Sequence, residues 1–411
     1  LKRRQKLTLL TTLYLAQGLP YGFFTLALPV FLREAHLSLP AIGLTNLLTL
    51  PWALKFLWAP QVDRRRIPGF GLRRSWLLPA QFASILLYAL LGLFTLRPGE
   101  ISVILAGCLL ANLFAASQDI ATDALAVDIL EPNERGWANG IQVAGYRAGM
   151  IVGGWFLVSL YPILGWTGDM LLMSALVAIC TLPVLLFKEP AHHSPSPKSR
   201  AAFLETIGFF LNRGAGPWAL VLLLYKFGHA AASTMIRPWL FDNHYPLQDI
   251  GWILGGVGFA AGLVGAILGG GLAVQKGRAR LLIGLGVLQV LGLASYVWPV
   301  ITEHSTFKIL VAAFLDNFTS GLATTVLFTI MMDACSKVRA ASDYTAQACT
   351  VVVSQSVAGI FAGFAAQAWG YPIFFFVSAL IGAGALVVTA FVITLPSVRG
   401  LINPMKDSRA A

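Results

Sequence analysis

Residues 101–130 read ISVILAGCLLANLFAASQDIATDALAVDIL. The stretch is apolar almost throughout, yet it carries Asp119, Asp123 and Asp128 and no lysine or arginine. What tolerates three carboxylates there depends on the solvent around the segment. About 20 apolar residues cross a bilayer as a helix. An acid within such a span faces a bundle interior or a water-filled cavity and finds a partner there. The rest of the chain decides for the bilayer. Of 411 residues, 57% are hydrophobic and 11% charged, where a soluble domain averages roughly 25% charged. The mean hydropathy is +0.74.

Cutting the apolar stretches at proline, glycine and charge clusters predicts an all-α membrane protein of twelve helices, over 7–33, 40–60, 75–96, 100–130, 136–160, 168–187, 217–241, 248–274, 280–301, 307–335, 341–369 and 371–395. The opening KRRQK leads into an apolar run from Leu7 to Leu32. That run is longer than the core of a signal peptide, so a first membrane helix is expected. The longest polar stretch, KEPAHHSPSPKSRAAFLETIGFFLNRG, separates six helices from six. Expected units are therefore a bundle over 1–187, a linker over 188–216 and a bundle over 217–411. Phe203–Leu211 reads as an amphipathic surface helix. His192 and His193 lie in the linker with no further ligand nearby, and the four cysteines form no CxxC pair, so neither a metal site nor a disulfide framework is expected. No cofactor is called for.

The net charge of +11 follows from topology rather than from a nucleic-acid partner. With the N-terminus inside, 22 of the 29 lysines and arginines fall in cytoplasmic segments, and only Arg33, Arg97 and Lys308 fall outside. Inward-facing loops collect the positive charges, so both termini are expected in the cytoplasm. A shift of 205 residues also aligns Asn112 with Asn317 and Asp128 with Asp333, a weak internal repeat that fits two related halves around a midplane site.

Four cations remain inside helices: Lys55, Arg147, Lys226 and Arg237. Asp119 and Asp123 are four apart and share a helix face. Lys55 and Arg147 are the bases available to them in the same half. Such a cluster either glues helices together or serves transport. Asp128 is expected apart from it, with Glu131, Glu134 and Arg135 near a cytoplasmic gate. Tyr14, Gln17 and Tyr21 share one face of the first helix, lining a cavity or bonding between helices. Lys226, His229, Ser233 and Arg237 form a stripe on the seventh helix; Arg237 either faces inward or snorkels at the surface. His229 either titrates in a cavity or packs between helices. Asp316, Ser320 and Thr324 share a face of the tenth helix. Gln118, Gln142, Gln347 and Gln355 are further groups able to bond a ligand.

The loop APQVDRRRIPGFGLRRSW, with Asp63, Arg64, Gly69 or Gly71, Arg73 and Arg74, resembles the loop between helices 2 and 3 of the major facilitator superfamily, with longer spacing. Such a loop either latches the two halves or serves only as a positive-inside loop. LPWALKFLWAPQVDR, ASQDIATDALAVDILEPNERG, GYRAGM and YKFGH are similar to the group of the AmpG muropeptide permeases, acetyl-CoA transporters and RhtX/FptX siderophore permeases. The compact length and the opening TLYLAQGLPYGFFTLALPV are most similar to the siderophore branch, ferripyochelin permeases included. The resemblance implies the major facilitator fold and a bacterial inner-membrane importer of an anionic small molecule, a ferric siderophore first and an anhydromuropeptide second. A monomer in the lipid bilayer is expected.

On this reading, substrate would meet Tyr14, Gln17, Tyr21, Lys55, Gln118, Gln142, Arg147, Lys226, Arg237, Gln347 and Gln355. Asp119, Asp123, His229 and Asp316 would carry protons, and Asp63, Arg64, Arg73, Arg74, Asp128 and Arg135 would gate. With no Walker A, HExxH or GxSxG sequence, neither an ATP-driven pump nor an enzyme is indicated.

Overall fold

The computed structural model describes residues 3–34, 48–94, 99–189, 208–210, 215–274, 277–302 and 305–402. Within them the regular elements are helices, apart from one isolated bridge between Ile67 and Gly71. Eight segments are long and apolar enough to span a membrane. Two of these, Arg135–Leu186 and Lys337–Val392, are each broken into two helices by a glycine, Gly165 at φ 62° and Gly370 at φ 72°. Only glycine enters that region without a Cβ penalty, so one residue ends one helix and starts the next. The N-terminal helix, Arg3–Gly22 continued through Phe23–Ala27 to Leu28–Glu34, and a broken helix from Leu50 to Arg64 bring the described set to twelve.

The second of these spans was expected as one helix over 40–60; residues 40–47 lie outside the described set. The described part is helical over Leu50–Leu54, a 3-10 turn over Lys55–Leu57, and helical again over Ala59–Arg64. Pro60 has no N–H to give to the preceding turn. The helix therefore tightens just before it, at the turn that carries Lys55. The linker, with His192, His193 and nearly all of the helix expected over Phe203–Leu211, lies outside the described residues; 208–210 are helical.

By its contacts the chain divides into two compact units, one of 1–130, 145–206 and 336–345, the other of 131–144, 207–335 and 346–411. The core of the first unit is aromatic around Phe23, Phe31, Tyr88 and Trp166, with Phe31 stacked on Tyr161 at 4.3 Å. The core of the second gathers Trp239, Tyr296, Phe374 and Phe375. Small residues set the helix spacing. In the first unit a Cβ on Gly18 or Gly149 would strike the facing backbone, and in the second a Cβ on Gly265 or Gly321 would do the same. Such contacts replace the hydrophobic drive that helices lack inside lipid.

Candidate functional site

In the first unit the helix Ile101–Ile129 presents its acids to two different partners. Lys55, delivered by the 3-10 turn, forms an ion pair with Asp119. Tyr14 donates its hydroxyl to Asp123 Oδ1 at 3.2 Å. All four side chains are buried. Gln118 donates to the Leu13 carbonyl at 3.3 Å, and Gln17 is buried, so these two amides lie in the packing of the first helix. Tyr21 and Arg147 are half-buried; Gln142, which belongs to the second unit, is buried. Two aromatic residues not singled out from the sequence sit beside the acids. Trp52 meets Tyr21 edge-on at 5.9 Å, and Tyr146 lies against Tyr21 at 5.6 Å. Trp52 donates its indole N–H to Asn112 Oδ1 at 2.9 Å. The sequence signal for them was their place, three residues before Lys55 and next to Arg147.

In the second unit the polar faces of the helices Phe227–Asp242 and Thr306–Asp333 meet. Lys226, at the start of the former, donates to Thr324 Oγ1 at 2.8 Å, Ser320 Oγ at 3.1 Å and Gln289 Oε1 at 2.8 Å. One turn further, His229 Nε2 lies 3.3 Å from Asp316 Oδ1, an ion pair when the imidazole is protonated. The Tyr296 hydroxyl is buried in the same unit. The expected stripe divides: Lys226 is buried, whereas Arg237 is exposed. Eleven residues at 3.6 per turn would return Arg237 to within about 20° of Lys226, but Lys226 caps the helix Phe227–Asp242 at φ −103° and ψ −3°, so the two do not share one continuous helical face. Gln347 is fully buried, accepts from Trp218 Nε1 at 2.8 Å and donates to the Met331 carbonyl at 3.0 Å, which makes it a packing residue. Gln355 is exposed.

The basic loop builds a third cluster. Arg73 reaches Asp63 Oδ1 through Nη1 at 2.9 Å and Asp128 Oδ2 through Nε at 2.7 Å. Asp63 in turn accepts the N–H groups of Ala341 and Ser342 at 3.0 and 2.9 Å and the Ser342 hydroxyl at 2.7 Å. These N–H groups open the helix that begins at Ala340, where a carboxylate is favoured by the unpaired donors and the helix dipole. Burial alone would lower the Arg73 pKa; the carboxylates of Asp128 and Asp63 outweigh it and raise it. Glu189, which sequence reading passed over, accepts the backbone N–H groups of Arg73 and Arg74 and caps the helix Arg74–Leu91. Gly71, at φ 84°, passes so close to that carboxylate that a Cβ would collide with it. Arg74 also donates to the Leu185 carbonyl at 3.2 Å, and Arg64 stands half-buried beside Asp63 in sequence.

Asp128 thus belongs to Arg73, not to Arg135 as expected. Arg135 turns to Asp333, at 2.8 Å, and Arg278 pairs with the same carboxylate. Arg278 also donates to the Pro132 carbonyl. Glu134 is occupied locally, accepting the Glu131 N–H at 3.1 Å. The reason is geometric. The helix Ile101–Ile129 ends at Leu130 in an extended residue, so Asp128 and Arg135 stand on different helices. The repeat offset of 205 residues that aligns Asp128 with Asp333 extends to further members. Arg73 and Arg278, Gln142 and Gln347, and the two break glycines Gly165 and Gly370 obey it as well. So do the bonds of Asn112 and Asn317, each of which donates to the carbonyl four residues earlier.

Comparison with known proteins agrees with this architecture. A profile of the Major Facilitator Superfamily matches residues 10–351. Anhydromuropeptide permease of Escherichia coli (strain K12) is 32% identical over 381 residues, 90% of this chain and 76% of the relative. A putative transporter AmpG 4 of Rickettsia conorii is 25% identical, over 92% of this chain and 94% of its own. Among solved structures, the human organic anion transporter MFSD10 superposes with a TM-score of 0.76 at 15% identity, covering 95% of this chain and 100% of that one. The proton:xylose symporter XylE gives 0.69 at 13%, covering 95% and 94%; at such identity these two speak for the fold alone. The special likeness to siderophore permeases expected from the sequence finds no support in these relatives, the first of which is named for muropeptides. From the acid-bearing spans, the paired clusters and these similarities together, the chain is a multi-pass membrane transporter that belongs to the Major Facilitator Superfamily, in its AmpG-like group.

Proposed function

We propose that the protein is a bacterial inner-membrane permease that carries an anhydromuropeptide, an amino sugar bearing a short peptide, into the cytoplasm. One observation carries this reading: the 32% identity to the Escherichia coli anhydromuropeptide permease over 90% of the chain. It reverses the order of the two substrates expected from the sequence. The site chemistry is compatible with it. Lys55 in the first unit and Lys226 in the second are each a buried cation of the kind that draws a peptide carboxylate, and the partly buried rings of Tyr21, Trp52 and Tyr146 suit a sugar.

Transport is coupled to protons in this reading. Asp119 and Asp123 have Lys55 and Tyr14 as partners, and Asp316 faces a histidine, the one side chain whose ordinary titration lies near neutral pH. Loading and release of a proton there would change which partners the carboxylate holds. The Arg73 and Asp333 clusters serve as gates in this mechanism, made and broken as access alternates, with both termini in the cytoplasm as the charge bias implies.

The test is uptake into proteoliposomes. With the interior made alkaline, labelled anhydromuropeptide should accumulate above its external concentration, and the gradient should collapse with a protonophore. Accumulation of ferric pyochelin with no uptake of anhydromuropeptide would restore the siderophore reading.

A further inference from the structure

We infer that Arg65, Arg66 and Arg74 form a headgroup site for an anionic phospholipid at the edge of the first unit's lipid-facing surface. The inference stands apart from the identity of the transported substrate. Within the stretch RRRIPGFGLRR, residues 64–74, the arginines meet different fates. Arg73 is buried and held by Asp63 and Asp128. Arg65 and Arg66 are exposed and Arg74 is half-buried, and among the described residues none of these three is paired with a carboxylate. Arg74 gives one N–H to the Leu185 carbonyl at 3.2 Å, while its buried Nε has no hydrogen-bond partner. Glu189, the acid beside this loop, turns both carboxylate oxygens to the backbone N–H groups of Arg73 and Arg74. Three cations are thus left without a protein counter-charge.

Two stripes of side chains bring these cations to the lipid boundary. On the helix Arg74–Leu91, Phe82, Leu86 and Leu90 are exposed, whereas the polar Gln81, Ser84 and Tyr88 are buried. On the helix that follows Gly165, Leu171, Ile179, Leu182 and Leu186 are exposed. A face of large apolar side chains with its polar groups turned inward is what a spanning helix presents to lipid, not to a water-filled cavity. The loop is tied to both helices at their ends. Trp76, half-buried in the first turn of the former, donates its indole N–H to the Arg65 carbonyl at 3.0 Å, in the manner of tryptophans at a membrane interface. Arg74 reaches Leu185, next to Leu186, which is 84% accessible. The loop is also preformed. Ile67 bridges Gly71 and gives its N–H to Ser75 Oγ at 2.8 Å, and a cavity of about 470 Å³ is lined by Arg66, Ile67, Pro68, Gly69 and Gly71. Ile67 and Phe70 are exposed beside the cations. Guanidinia would meet a phosphate there, and the two apolar side chains would meet the start of the acyl chains. A zwitterionic headgroup brings an ammonium that needs a carboxylate of its own. Glu189 is already occupied, so the arrangement favours a headgroup with net negative charge.

The experiment titrates phosphatidylglycerol into the purified full-length protein in a neutral detergent and follows thermal unfolding, with phosphatidylcholine and glycerol phosphate as the other probes. Phosphatidylglycerol should stabilise wild type at lower concentration than either. Arg65→Ala, Arg66→Ala and Arg74→Ala should each weaken the apparent affinity for phosphatidylglycerol by about fivefold, the effect of one basic residue at an anionic surface. Arg66→Lys keeps the charge and should retain most of the affinity. Without added lipid, Arg65→Ala and Arg66→Ala should unfold at the wild-type temperature, since both side chains are exposed; this separates lost lipid from lost fold. Arg280→Ala removes an exposed arginine from the second unit and should bind as wild type does. Equal stabilisation by phosphatidylcholine, unchanged affinity in all three alanine variants, or an equal loss in Arg280→Ala would each overturn the site. Stabilisation by glycerol phosphate as strong as by phosphatidylglycerol would overturn the assignment to a lipid and give the site to a soluble phosphate ester.

Discussion

The Arg73 and Asp333 clusters occupy equivalent places in the repeat yet are built with opposite charge. In the first, one guanidinium is shared by two carboxylates, Asp63 and Asp128, and the surplus negative charge is met by the N–H groups at the start of a helix. In the second, one carboxylate is shared by two guanidinia, Arg135 and Arg278, and the surplus positive charge is met by backbone carbonyls of Pro132 and Met332. The inherited pair, Arg73 with Asp128 or Arg278 with Asp333, is the same. The added third charge differs, and each comes with a helix terminus or loop that supplies the complementary backbone dipoles. A pair of buried charges gains little over apolar packing unless further hydrogen bonds satisfy it; both clusters meet that condition, by opposite means.

The comparison can be broken at its hubs, where the largest effects are expected. Arg73→Ala leaves two carboxylates facing each other with side chains at most 4% exposed, and should cost about 3–5 kcal/mol, the range for removing one partner of a buried pair. Asp333→Ala leaves two guanidinia, but Arg278 is 13% exposed and can turn toward water, so its cost should be smaller. Thermal unfolding in detergent ranks them; equal losses would show that burial does not distinguish the clusters.

A middle-sized effect sharpens the role of the third charges. Asp63→Ala removes the acceptor of two backbone N–H groups and should cost about 1–2 kcal/mol, as loss of a helix N-cap does. Asp63→Asn keeps one oxygen and should recover part of it. If both variants unfold at the wild-type temperature, the helix start does not depend on this acid.

A further pair of variants tests the repeat itself. Gly165→Ala and Gly370→Ala each place a Cβ at positive φ with extended ψ, a region essentially reserved for glycine, and should each cost about 1–3 kcal/mol. Similar costs at the two positions are expected from their shared offset, and a gap of severalfold between them would show that their surroundings have diverged.

The membrane class, the helix order and the two break glycines' neighbourhoods were legible because each rests on local pattern: apolar length, proline and glycine, and the charges between spans. That Lys55 lies with the acids of the long span was legible too, since a buried acid there needs a base and few are available; which acid it pairs with was not. Asp128 was misread because partners across a helix terminus depend on how helices pack, which nearness in sequence does not reveal. Trp52, Tyr146 and Glu189 escaped for a related reason. A tryptophan among many apolar residues looks like any other, and a lone glutamate past a helix end gives no sign that it will cap a helix more than a hundred residues earlier. Substrate was the least legible feature, because the branch resemblance rested on chain length and an N-terminal apolar run, both of which report spanning more than recognition.

The glycine breaks have a consequence for how the chain is made. At Gly165 and again at Gly370, two spanning helices are joined without a polar loop. With no long hydrophilic segment between them, the two members of each pair are expected to enter the bilayer together as a hairpin. The backbone groups freed at the glycine must then be satisfied by neighbouring residues or interfacial water during insertion itself. Insertion by pairs of helices is the expected outcome at these two points, and a charged insert separating the pair should alter the unit of insertion before it alters the finished fold.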